Sequence, residues 1–121
     1  MNFEEWTAFI IKTEKPSKKI NGYYFGIFET DDNEYMMYLS GSKEFDANND
    51  DWACNNDFEP AEKYLPLPQY RGLDWECVLN HIIELLQNFI ITDIYINSFF
   101  AKAQGIGAGF DDGSFVLIKQ Q

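Results

Sequence analysis

Apolar residues recur at three- and four-residue steps near the N-terminus. Phe3, Trp6, Phe9, Ile10 and Thr13 fall on one side of a helical wheel, which predicts a short amphipathic helix over residues 3–13. Asn2 stands where an N-cap belongs, Glu4 and Glu5 suit the positive end of the helix dipole, and Pro16 closes the segment. The same period returns over Asp74–Ile90. Val78, Ile82, Leu85, Leu86 and Phe89 make one face, and Trp75 and Ile83 extend it. Gly72 breaks the chain ahead of this helix, and Asp74 caps it.

Between the two helices the pattern changes. Ile20–Glu29 (INGYYFGIFE) is rich in aromatic and β-branched residues and predicts a strand. Asp31, Asp32 and Asn33 carry turn chemistry, and Glu34–Leu39 (EYMMYL) reads as a second strand forming a hairpin with the first. Ser40–Asn56 reads as a loop. A third strand is expected near Lys63–Leu67, where Pro66 and Pro68 suit a sheet edge or a strand end. Residues 91–104 are open between a strand over Asp93–Phe100 and further helical turns. At the C-terminus, two apolar runs, Gly105–Phe110 and Ser114–Lys119, flank Asp111-Asp112-Gly113, a tight-turn signal for a hairpin. The predicted fold class is α+β: a single domain over 1–121, with a mostly antiparallel sheet, a main helix packed across it and a short N-terminal helix.

Charge adds what the pattern lacks. Residues 29–62 hold eleven acids and one base, Lys43, a balance of −10 within a whole-chain charge of −11. Charge so concentrated destabilises by self-repulsion and sets up a strong local field. It disfavours direct binding to nucleic acid, whose phosphates it would repel, and it favours a basic protein partner. With 45% hydrophobic and 17% aromatic residues, the chain is too apolar for a disordered acidic tail, so the acidic stretch belongs to a folded body. The candidate contact residues are Asp31, Asp32, Glu34, Glu44, Asp46, Asp50, Asp51, Trp52, Asp57 and Glu59. Trp52 has two readings: an anchor for the partner, or a ring that pins its own loop to the core.

Catalytic and metal patterns are weaker. His81, the lone histidine, lies on the main helix four residues after Cys77, and it reads as a structural or solvated residue instead of a general base. Cys54 and Cys77 match no metal spacing, and a disulfide between them is not expected. Asp46, Asn48 and Asp50 imitate the start of a calcium loop. However, Asp51 stands where glycine is needed and Asp57 where glutamate is needed, so a solvated loop is the plainer reading. Gly105, Gly107 and Gly109 lack the spacing and lysine of a nucleotide loop and predict close backbone packing in a strand. No cofactor is expected. The residues after Met1 lack the basic and apolar regions of a signal peptide, and no apolar run is long enough for a membrane span, so the chain reads as cytosolic with no membrane partner.

Two stretches carry a family resemblance. One is Asp51–Pro60 (DWACNNDFEP), followed by Lys63–Leu65 (KYL). The other is Ala108–Gly113 (AGFDDG), ahead of Phe115–Ile118 (FVLI). In these the chain resembles small bacterial immunity proteins of contact-dependent inhibition and related polymorphic toxin systems. The resemblance implies a non-enzymatic cytosolic protein that binds one cognate toxin domain and blocks it. Many such toxins are nucleases with basic clefts, into which an acidic surface would be steered. Two other classes stay open: a small hydrolase working through paired carboxylates, and an acidic adaptor or DNA mimic that binds a basic host protein.

Overall fold

The two predicted helices form with the caps written into the sequence. In the computed structural model, which describes residues 1–16, 19–111 and 113–121, helix α1 spans Phe3–Thr13. The Asn2 side chain accepts from the Glu5 backbone N–H, and the Glu5 carboxylate accepts from the Asn2 N–H, a reciprocal cap that satisfies two otherwise orphaned donors. Helix α2 spans Trp75–Phe89, and Asp74 accepts from the Cys77 N–H at 2.9 Å. Its buried residues are Val78, Ile82, Leu86 and Phe89, the predicted face. Trp75, expected on that face, is 47% exposed. It stands on the first turn, beyond the packed stripe, and makes an edge-to-face contact with Phe110.

Five strands follow the expected hairpins: β1 (Gly22–Glu29), β2 (Tyr35–Ser42), β3 (Tyr64–Leu67), β4 (Gly105–Phe110) and β5 (Ser114–Gln120). Their order across the sheet is β3-β2-β1-β4-β5. Three of the pairings are antiparallel, as expected, but the central one, β1 with β4, is parallel. Parallel neighbours cannot be joined by a tight turn. Here the chain leaves β3 at one edge, runs through α2 and re-enters the sheet beyond β1. Strand β3 is a four-residue edge strand carrying Pro66, which lacks an N–H for a further partner. Of the C-terminal turn, Asp112 lies outside the described residues.

Residues 91–104 take the helical reading. A short helix α3 (Asp93–Ile96) and a 3-10 turn (Phe99–Lys102) are capped by Thr92 and Ser98. Strand-like composition loses here because the two hydroxyl caps sit at the right spacing and Tyr95 and Phe100 can both point inward, where they are buried.

Side chains alternate along each strand, so the sheet has two distinct faces. Tyr23, Phe25 and Ile27 of β1 and Met37 and Leu39 of β2 face the helices. They form one apolar cluster with Phe3, Trp6, Ile10, Ile82, Leu86 and Phe100. The opposite face carries Tyr24, Gly26 and Phe28 of β1, Tyr38 and Ser40 of β2, and Gly105, Gly107 and Gly109 of β4. It is covered in part by the acidic segment between β2 and β3.

Candidate protein-interaction surface

The open face is shaped by glycine. Gly22 of β1 stands beside Gly105 of β4, and Tyr24 beside Gly107, so the floor is bare of side chains along part of two adjacent strands. Two aromatic rings from the acidic segment fill that space. Trp52 packs over Gly22, where an added Cβ would meet its ring at 2.6 Å, and Phe45 packs over Gly105. The Trp52 ring lies 5.2 Å from Phe45 and 5.8 Å from Phe115 of β5. Of the β4 glycines, Gly109 gives the expected close backbone packing, against Ser114 and Phe115, whereas Gly105 and Gly107 make room for the rings of Phe45 and Phe115.

Trp52 is 3% exposed. Of its two sequence readings, the structure gives the pin: the indole holds its loop to the sheet and is not presented to a partner. The physical reason is the glycine floor, which offers a socket of matching shape. The socket is imperfect in one respect. The indole N–H is buried without a hydrogen-bond partner among the described residues, a cost of about 1–3 kcal/mol against the apolar gain.

The pinned segment is tied down at several further points. A 3-10 turn, Asp50–Cys54, is capped by Asn49, whose side chain accepts from the Asp51 N–H. The Asp57 carboxylate accepts from the Lys43 N–H at 2.8 Å, and the Asn21 amide donates to the Lys43 carbonyl. At its far end, the Trp6 indole donates to the Glu62 carbonyl at 2.8 Å, and the Ala61 N–H donates to the Glu14 carboxylate. The segment is irregular, yet its backbone is fixed to both layers of the fold.

The predicted acids do not form a single patch. Asp31, Asp32 and Glu34 cluster at the β1–β2 turn, where Glu34 approaches Arg71 at 3.4 Å. Glu44, Asp46 and Asp57 lie near the opposite end of β2. Asp46 accepts from the Asn48 N–H, so the calcium-loop positions spend oxygens on their own backbone. Glu59 pairs with Lys63 at 2.7 Å. Asp50 and Asp51 are exposed on the 3-10 turn and overhang the sheet. Among the described residues, no three His, Cys, Asp or Glu side chains make a group that could hold a metal ion.

Between the 3-10 turn and the sheet runs a groove of two adjoining hollows, each about 240 Å³. They share Tyr38, Ala53, Cys54 and Asp111. One continues to Tyr24, Asp50, Asp51 and Phe115, the other to Phe28, Lys63 and Tyr64. Tyr38 is central. Its hydroxyl donates to an Asp111 carboxylate oxygen at 2.6 Å. Burial, and then that carboxylate, push the phenol pKa well above its ordinary value. Lys63 sits 5.5 Å from the Tyr38 ring and 5.6 Å from the Tyr64 ring.

Sequence reasoning missed Tyr24, Tyr38 and Phe115 as site residues. The available signal was β1 itself: consecutive Tyr23, Tyr24 and Phe25 put large rings on both faces, which means that both faces are covered. The pairing of Tyr38 with Asp111 spans 73 residues and leaves no local trace. Elsewhere, His81 is exposed on α2 with its ring over Tyr70, and Cys54 and Cys77 are both free thiols, Cys77 only partly buried. Among the described residues no helix is long and apolar enough to cross a membrane. No family model, curated protein or solved structure matches the chain.

Proposed function

We propose that this chain is a binding protein that neutralises a basic partner, in the manner of the toxin-system immunity proteins it resembles, and that it works in the cytosol without catalysis. The observation that carries this reading is the groove under the 3-10 turn. Asp50, Asp51 and Asp111 line it, and neither ion pair among the described residues, Glu59–Lys63 or Glu34–Arg71, involves any of the three. Carboxylates without an ion-pair partner among the described residues, on a pinned scaffold, offer a preformed field to a positively charged protein. Such a field raises the association rate more than it deepens affinity. A toxin nuclease domain, with a basic cleft evolved for phosphates, fits this description.

The role of Trp52 changes within this reading. It acts at one remove, by holding Asp50 and Asp51 in place. The test is binding kinetics against the protein encoded by the neighbouring reading frame. Asp50→Asn with Asp51→Asn should slow association several-fold and flatten its dependence on salt, with dissociation little changed. A neighbouring product that is not basic, or that shows no binding at micromolar concentration, would overturn the reading.

A further inference from the structure

Around Tyr38 the groove combines flat rings with carboxylates that make no ion pair among the described residues. Tyr24 and Phe115 stack with their planes 9° apart and centroids 6.1 Å apart, and the Tyr38 ring stands 6.0 Å from Tyr24, tilted by 66°. These rings line a hollow of about 240 Å³ together with Asp50, Asp51 and Asp111, and among the described residues no Lys or Arg lines it. Asp111 is not free to swing away, because the Tyr38 hydroxyl holds one of its oxygens. A second observation points to the ligand. Further along the same groove, the Lys63 ammonium already sits over the Tyr38 and Tyr64 rings, so one wall of the hollow, Tyr38, already faces a cation of the chain's own.

Aromatic faces attract cations through their quadrupole. Carboxylates spread round the rim do not meet at one point, as the lack of any metal-holding group among the described residues shows. Separated acceptors beside flat walls suit a planar, forked donor: a guanidinium stacks on the rings while its edges donate to two carboxylates. Lysine, a compact ammonium, would use less of this arrangement. We propose that the hollow bounded by Tyr24, Tyr38, Phe115, Asp50, Asp51 and Asp111 is the recognition pocket for an arginine side chain of the protein partner. This inference rests on the basic-partner reading above and gives it a specific point of contact.

The test is an NMR titration of the isotope-labelled full chain with acetyl-Gly-Arg-Gly-amide, run beside the same peptide carrying citrulline, which is nearly isosteric and uncharged. The arginine peptide should give saturable shifts at Ala53, Cys54, Asp111 and Gly113. Its midpoint should fall in the millimolar range, with citrulline weaker by about tenfold. The pair Asp50→Asn and Asp51→Asn, on an exposed turn, should weaken binding by about fivefold, and Tyr38→Phe, which releases Asp111, by about threefold. Asp31→Asn, at the distant β1–β2 turn, should change nothing. Equal binding of citrulline, shifts centred on the β1–β2 turn, or no saturable shift at about 50 mM peptide would overturn the pocket. If the pocket fails while the chain still captures a basic partner, only the pocket is lost. If the peptide binds and the neighbouring product does not, the partner reading is lost, and with it the role assigned to the pocket.

Discussion

The two faces of the sheet solve burial in different ways. On the helix side, α1 and α2 lay regular apolar stripes across Phe25, Ile27, Met37 and Leu39, and each of these residues is fully buried. On the open side, glycines leave a bare floor and an irregular acidic segment covers it with two rings. The first arrangement draws stability from many interchangeable apolar contacts. The second depends on two rings over a glycine floor, and it leaves the Trp52 donor unpaired among the described residues. Stability is thereby drawn mainly from one side of the strands, and the recognition proposed above falls on the other.

The largest effect should come from the helix side. Leu86→Ala, at a fully buried site in α2, should cost about 2–5 kcal/mol, read as a lower denaturation midpoint with an unchanged denaturant slope. Trp52→Ala should cost less than its size suggests, about 1–3 kcal/mol, because it also removes the unpaired indole N–H. Its signature should be local: hydrogen exchange should speed up across residues 43–63 more than in α2. A loss equal to that of Leu86→Ala, with uniform exchange, would erase the distinction between the faces.

Tyr38→Phe should cost about 1–2 kcal/mol by removing the hydroxyl that holds Asp111. It also sharpens the comparison through pH. The folded-state pKa of Tyr38 is raised above the unfolded value of 10.0, so its contribution is fully present below pH 10 and is lost as pH rises beyond it. Burial raises Tyr23, on the helix face, in the same direction. Wild type should therefore lose stability above pH 10, and Tyr38→Phe should lose less, as measured by denaturant midpoints across that range. The smallest effect belongs to the surface charges. Breaking the exposed Glu34–Arg71 pair with Arg71→Ala should change stability by no more than about 0.5 kcal/mol.

Local signals account for most of the helix side. The caps at Asn2 and Asp74, the stripe Val78, Ile82, Leu86 and Phe89, and the C-terminal hairpin can all be read within short windows, because each depends on residues close in sequence. The parallel contact of β1 with β4 cannot, since nothing near Gly22 specifies a partner some eighty residues on. The open face was legible only as charge. Composition showed that residues 29–62 are acidic. It could not show that Glu34 and Glu59 meet bases, that Asp46 and Asp57 serve their own backbone, or that Asp111 joins Asp50 and Asp51. Trp52 illustrates the limit: a tryptophan among aspartates is ambiguous until the glycines that receive it are seen.

Because Trp52 sits in space left open by glycine, between the rings of Phe45 and Phe115, the fold separates what must stay constant from what can change. Gly22, Gly105, Gly107 and the indole fix where the loop sits. Asp50 and Asp51, exposed beside them, can be exchanged at little cost in folding, since surface positions away from the packed core act nearly independently of it. A lineage carrying this scaffold could rewrite a few exposed letters and would not have to solve the folding problem again.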